Sequence, residues 1–258
     1  MNTACFWIRF PFLLSVLTTF IVVFVSGCSA PAKEIKGAST ISQDATDTAI
    51  ERYIRTHPEV IEQSLQGLLA KREAEQKERH KAALATKQNE LLHDSLSPVS
   101  GNLKGDITLI EFYDYRCGFC KRAASAVTEL QKVDPRVRVV YKDFPILGEP
   151  SVLAAKAALA AQAQGKHQAF HEALLASHAD MTKEAILKIA VKVGLDAKRL
   201  EADMANPKWQ AVIDKNRVLA HELGISGTPG FIVGNELVAG WLDLNGLKEL
   251  IARSGQKK

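Results

Sequence analysis

The chain has 258 residues, 33 of them Lys or Arg and 29 Asp or Glu, and 47% are hydrophobic. That is enough apolar chain for one large domain, or for a smaller domain with an appendage. A formal charge of +4, without a basic run interleaved with aromatics, gives no footprint for a phosphate backbone, so nucleic acid is not an expected partner.

At the N-terminus, Arg9 precedes an uncharged apolar run from Phe10 to Val25 that breaks at Ser26-Gly27-Cys28, the pattern of an export signal. The run is about sixteen residues, at the short end for a membrane span. Val25-Ser26-Gly27-Cys28 resembles the bacterial lipobox. The resemblance implies cleavage after residue 27 and a diacylglyceryl anchor on Cys28, with the protein attached to a membrane, the outer membrane being the expected one. An ordinary signal peptide cut near Ala30 and an uncleaved span are the alternatives, and all three place the remainder outside the cytoplasm. Residues 1–27 are thus expected to be a signal peptide and 28–45 a flexible tether, small, polar and aperiodic.

Residues 46–95 read as a helical arm. Asp47 to Arg55 suits a short helix, and Thr56-His57-Pro58-Glu59 has the pattern of a capping box opening a second one. Val60, Ile61, Leu65, Leu68 and Leu69 recur at helical spacing before a charged, glycine-free stretch from Lys71 to Lys87. Such a stripe needs a partner surface, either the body of its own chain or the same stripe on another copy, and the second option makes the arm an oligomerisation region.

Ser97 to Asn102 reads as a loop, after which a domain over 97–254 begins. Ile107 to Tyr113 alternates as a strand, Cys117 opens a helix to about Lys132, and Val137 to Tyr141 is the next strand. This β-α-β unit carries Cys117 and Cys120 at its turn. Ala- and Leu-rich helical segments fill about 151–223. A hairpin around Gly234-Asn235 and a helix from about Leu244 close the domain. The expected fold class is α/β, a thioredoxin-like fold with an inserted helical domain behind an N-terminal helical arm.

The chain has four cysteines, and two of them, Cys5 and Cys28, fall in the export segment. Cys117 and Cys120 are therefore the only pair in the domain, and a loop so short constrains the unfolded chain little. Reactivity suits this pair better than stapling. A CxxC is also half of a zinc site, but no second half exists: His80, His93, His167 and His171 lack the further ligands that zinc demands and read as ordinary helix positions. No metal or other cofactor is expected. The partial positive charge of a helix N-terminus favours a thiolate at Cys117, the attacking sulfur, while Cys120 one turn inside would resolve the mixed disulfide.

The segment Gly105-Asp106-Ile107-Thr108-Leu109-Ile110-Glu111-Phe112-Tyr113-Asp114-Tyr115-Arg116-Cys117-Gly118-Phe119-Cys120-Lys121 resembles the active-site segment of DsbA-like periplasmic oxidoreductases. Tyr141 to Gly148 and Gly227-Thr228-Pro229-Gly230-Phe231 extend the likeness. With Tyr53-Ile54-Arg55 and Pro58-Glu59-Val60 it runs from about Ala49 to the last helix. It is closest to the ScsC-like branch, which has an N-terminal helical extension, and to related bacterial outer-membrane antigens. The resemblance implies that Pro229 is cis and that Thr228 and Pro229, with Gly118 and Phe119, face the substrate. It implies that Glu111 is a buried acid that relays the proton of Cys120. One departure stands out: strongly oxidising DsbA enzymes carry His where this chain has Phe119. The expected potential therefore lies between about −120 mV for DsbA and about −270 mV for thioredoxin.

The expected function is formation or isomerisation of disulfides in exported proteins, with a membrane redox partner. The alternative is a non-catalytic envelope binding protein or adhesin whose CxxC is a structural clip.

Overall fold

A computed structural model describes residues 42–255. The expected export signal, Cys28 and most of the tether lie outside the described residues. The chain divides into two compact units, residues 1–58 and 59–258.

In the first unit the described element is α1 (Gln43–Thr56). It starts earlier than the sequence reading placed it, inside the expected tether, because the Ser42 hydroxyl caps it by accepting from the Ala45 N–H at 3.3 Å. An Arg55–Glu51 pair at 2.7 Å adds support one turn apart. The expected capping box at Thr56 does not form. Its hydroxyl turns back and donates to the carbonyls of Arg52 at 2.9 Å and Tyr53 at 3.1 Å, satisfying the end of α1 instead.

In the second unit, α2 (Pro58–Thr86) leaves Ile61, Leu65, Leu68 and Leu69 exposed, and only near its end does it bury a residue, Leu84. After α3 (Gln88–Leu92) the chain forms β1 (Val99–Gly101), a short strand where a loop was expected. It pairs antiparallel with β3, and the Ser100 hydroxyl lies 3.0 Å from the Tyr141 hydroxyl. Then come β2 (Ile107–Tyr113), α4 (Gly118–Val133) and β3 (Val137–Asp143). The insert consists of α5 (Glu149–Ala161), α6 (His167–Ala176), α7 (Lys183–Lys192), α8 (Ala197–Met204) and α9 (Lys208–Glu222). β4 (Gly230–Val233), β5 (Glu236–Ala239) and α10 (Leu244–Arg253) finish the domain. Gly234, in the hairpin turn, has a φ of +57°, which glycine adopts without strain.

The five strands form one sheet in the order β1-β3-β2-β4-β5, with β2 and β3 parallel and the other pairs antiparallel. Side chains alternate across β2, so the central strand feeds two cores. Ile107, Leu109 and Tyr113 pack with Cys120, Ala123, Val127 and Leu130 of α4 and with the insert. Ile110 and Phe112 pack on the other face with Leu219 and Leu223 of α9 and with Leu84 and Leu91. The last turns of the expected arm are thus part of the domain's second core. Buried Lys142 fastens this junction, donating to the Glu90 carbonyl and the Ser97 hydroxyl, each at 2.8 Å, and pairing with Asp94 at 3.4 Å.

Candidate active site

The parallel strands β2 and β3 end on the same side of the sheet, and the chain leaving β2 turns there into α4. A buried carboxylate shapes that turn. Asp114 accepts from the N–H of Arg116 at 2.7 Å, from the N–H groups of Ile146 and Leu147 at 2.9 and 3.0 Å, and from the Ser151 hydroxyl at 2.8 Å. It ties the loop before Cys117 to the segment after β3 and to the first turn of α5. The sequence reading did not single out Asp114; an Asp whose side chain meets the N–H two residues on is the local signal that could have done so.

Cys117 is the N-cap of α4, with extended φ and ψ of −71° and 117°. Both thiols are free, and they lie in different surroundings: Cys117 keeps 8% exposure and Cys120 none. The Cys117 thiol donates to the Thr228 carbonyl at 3.2 Å. Hydrogen bonding from the Cys120 thiol, together with the Cys120 and Phe119 N–H groups at the open helix end, pulls Cys117 down to about 5. Cys120 moves the other way: its bond to Cys117, burial and the Glu111 charge push it far up.

Glu111 lies in the middle of β2, opposite Tyr141 of β3 and Phe231 of β4, and is fully buried. Its Oε1 has no hydrogen-bond partner among the described residues. Burial and then the Cys117 charge push its carboxyl up to about 8, so it holds a proton at neutral pH. The Thr228–Pro229 bond is cis, with Thr228 half-buried and Pro229 buried. Gly118 and Phe119 are exposed on the first turn of α4, beside Cys117. The fold therefore gathers around one spot the cysteines, Glu111, Gly118, Phe119, Thr228 and Pro229. Cys28 lies outside the described residues.

The two insert histidines, His167 and His171, lie on the buried face of α6 with Phe170 and Leu174. The His171 Nδ1 is 3.0 Å from the Tyr115 hydroxyl, which is 3.1 Å from that of Tyr113. Burial lowers His167 to about 4, holds His171 well below its ordinary value and raises Tyr113 and Tyr115, so these four side chains are uncharged at neutral pH. It ties α6 to the loop before Cys117. Among the described residues, no group of three or more His, Cys, Asp or Glu side chains is placed to hold a metal ion.

Chemically, the arrangement offers a partly accessible sulfur that ionises easily, a second sulfur one turn deeper that keeps its proton, and a buried acid below them. Such a pair can undergo thiol–disulfide exchange without a cofactor.

Comparison with known proteins agrees. Residues 108–252 match the model of the DSBA-like thioredoxin domain. A thioredoxin-like oxidoreductase from Silicibacter pomeroyi DSS-3 is 43% identical, with a TM-score of 0.64 over 66% of this chain and 98% of that one. The thiol-disulfide exchange protein alpha-DsbA2 from Wolbachia pipientis is 30% identical, with a TM-score of 0.64 over 69% of this chain and 96% of that one. The catalytic domain of Proteus mirabilis ScsC, 24% identical, shares the fold with a TM-score of 0.63 over 69% of this chain and 99% of that one. The chain spans about a fifth to a quarter of the length of the curated relatives it matches, such as the Na(+)/H(+) antiporter NhaA 3 of Salinispora tropica, 31% identical over 52% of this chain and 21% of the antiporter. Among the described residues no helix is long and apolar enough to cross a membrane. The chain belongs to the DSBA-like thioredoxin domain family, whose members are thiol–disulfide oxidoreductases.

Proposed function

We propose that this protein forms and reshuffles disulfides in exported proteins through Cys117 and Cys120. The observation that carries the reading is the opposite displacement of the two thiols, Cys117 down to about 5 and Cys120 upward, at one helix start. A thiolate at Cys117 attacks a substrate disulfide, forming a mixed disulfide and expelling the other substrate sulfur as a thiolate, which takes up a proton. Cys120 then loses its proton and attacks Cys117, releasing the second substrate thiolate and leaving a Cys117–Cys120 disulfide. Run in reverse, the same steps transfer that disulfide to a substrate dithiol. Glu111 takes the proton of Cys120 in its carboxylate form as that sulfur attacks, and in its protonated form returns one to Cys120 when the pair is reduced.

Thr228 and Pro229 form the edge along which an extended substrate chain lies, with Gly118 and Phe119 on the other side of the sulfur. A Cys117 at about 5 falls between the roughly 7 of thioredoxin and the roughly 3.5 of DsbA, which supports an intermediate oxidant. The exposed Ile61, Leu65, Leu68 and Leu69 support self-association through residues 46–92, which would hold several active sites around one substrate. Anchoring through Cys28 would keep the protein on the periplasmic side of the outer membrane, where a membrane redox partner resets the pair.

The test is exchange with glutathione together with reduction of insulin. Cycling of the pair in both assays is expected, whereas a Cys117–Cys120 disulfide that millimolar dithiothreitol leaves intact in the folded protein would mark the pair as a structural clip.

A further inference from the structure

The rim around Cys117 is basic and carries aromatic side chains. Arg116, Lys121 and Arg122 flank the cysteine pair in the chain, and among the described residues none of them forms an ion pair within 4.0 Å. Two of the three are occupied by backbone: Arg116 donates to the Leu147 carbonyl at 2.7 Å, and Lys121 to the Ser177 carbonyl at 2.5 Å. Arg122 is held differently. Its guanidinium carbon lies 4.3 Å from the centre of the Phe119 ring and 5.6 Å from that of Trp241.

Both aromatics are open to solvent, Phe119 at 53% and Trp241 at 44% exposure. Trp241 follows Gly240, whose N–H donates to the Pro229 carbonyl at 2.8 Å. The tryptophan is therefore fixed to the same loop that meets Cys117. Aromatic contact uses the flat face of a guanidinium and leaves its N–H edge available, the edge that fits a carboxylate. The acids next in the chain to the cysteine pair and to Trp241 are engaged elsewhere: Asp114 is buried and accepts four hydrogen bonds, and Asp243 accepts from the Gly246 N–H at 2.8 Å. A cation without an ion-pair partner among the described residues thus sits on α4 five residues after Cys117, held against two exposed rings.

We propose that this rim is a specificity surface, selecting substrate segments that carry an acidic side chain beside the exchanging cysteine. The carboxylate takes the edge of Arg122, while apolar atoms next to it lie on Phe119 and Trp241. The proposal rests on thiol exchange at Cys117 and adds the class of sequence that is exchanged. Exposed pairs are individually weak and salt-sensitive, so selectivity of roughly three- to tenfold is the expected scale.

The experiment uses the oxidised whole chain and reduced two-cysteine peptides that differ only in the residue beside the first cysteine, Asp, Asn or Lys. Single-turnover oxidation is quenched with acid and followed by mass spectrometry. The expected order of rate is Asp, then Asn, then Lys, with an Asp-to-Lys ratio of roughly three- to tenfold at low salt that shrinks at about 0.5 M salt. Arg122→Gln is expected to slow the Asp peptide several-fold and bring the ratio near one, and Arg122→Lys to retain part of it. Equal rates for the three peptides, or a ratio untouched by Arg122→Gln, overturn the proposal. Exchange of the wild type with uncharged dithiothreitol separates the two levels. If dithiothreitol reacts and the peptides do not differ, the rim proposal alone falls; if nothing exchanges, thiol chemistry at Cys117 falls with it.

Discussion

The Tyr115 hydroxyl and the His171 Nδ1 lie 3.0 Å apart in a fully buried setting, although 56 positions separate them. The contact joins the loop that presents Cys117 to α6 of the insert. Removing the imidazole takes one partner from a buried hydroxyl and leaves it only that of Tyr113, and a buried group left short of a hydrogen bond costs about 1–3 kcal/mol. His171→Leu should therefore lower stability by that amount in urea unfolding of the reduced protein. The double variant Tyr115→Phe/His171→Leu should cost less than the sum of the two single changes, because the second removal strands nothing new. Strict additivity would show that the contact contributes nothing.

The pH dependence follows from two groups of opposite sign. Cys117 stands at about 5 in the folded protein against an ordinary 9, so the folded form gives up its proton first. The reduced protein should gain stability as pH rises from about 5 towards 9 and lose that gain as pH falls through about 5. Glu111 acts the other way: held up at about 8 against an ordinary 4.5, it keeps its proton in the folded state and lowers stability as pH rises across that window. The disulfide form lacks the first effect. Reduced-minus-oxidised stability should thus increase with pH above about 5, with thiolate absorbance at 240 nm rising over the same range. Glu111→Gln should flatten the opposing loss between about pH 5 and 8. A thiolate signal that appears only near pH 9 would contradict the Cys117 assignment.

Phe119 occupies the position where strong oxidants of the family carry His. Phe119→His places a cation next to the thiolate and should lower Cys117 by roughly one unit, raising the reduction potential by about 30 mV. A glutathione titration reads the shift. An unchanged or lower potential would show that other groups at the helix start dominate.

The site was legible in the sequence to the extent that its chemistry is local. Cys117 and Cys120 are two residues apart on one helix turn, and the β-rich run before them with the helical run after them places that turn at the end of a strand. Thr228 and Pro229 came from resemblance, since nothing near them in the chain says that they meet a sulfur 111 positions away. The contact of His171 with Tyr115 is equally silent in the sequence, its partner being on a different element. Ser97 to Asn102 has turn composition, and what makes β1 a strand is its pairing with β3, a tertiary effect. Thr56 shows the limit of a motif, since its hydroxyl could serve either helix end and the carbonyls behind it took the bond.

The exposed stripe on α2 leads to a prediction about assembly. Ile61, Leu65, Leu68 and Leu69 present apolar surface that no part of the domain covers. Association through the arm should make the soluble form oligomeric, and a deletion that tests it must spare Leu84 and Leu91, which belong to the core. A deletion ending before Lys71 should instead give a monomer that still oxidises thiols but reshuffles scrambled ribonuclease poorly. Light scattering that finds the undeleted soluble protein monomeric at tens of micromolar would overturn this.

The most direct measurement concerns the division of labour between the two sulfurs. Each of Cys117→Ser and Cys120→Ser is mixed with a disulfide-bearing substrate, and covalent complexes are resolved on a non-reducing gel. With Cys117 ionised and accessible and Cys120 buried and protonated, Cys120→Ser should accumulate mixed disulfides that dithiothreitol releases, while Cys117→Ser should form none and should be inactive. Equal trapping by both variants, or trapping by Cys117→Ser alone, would contradict the account.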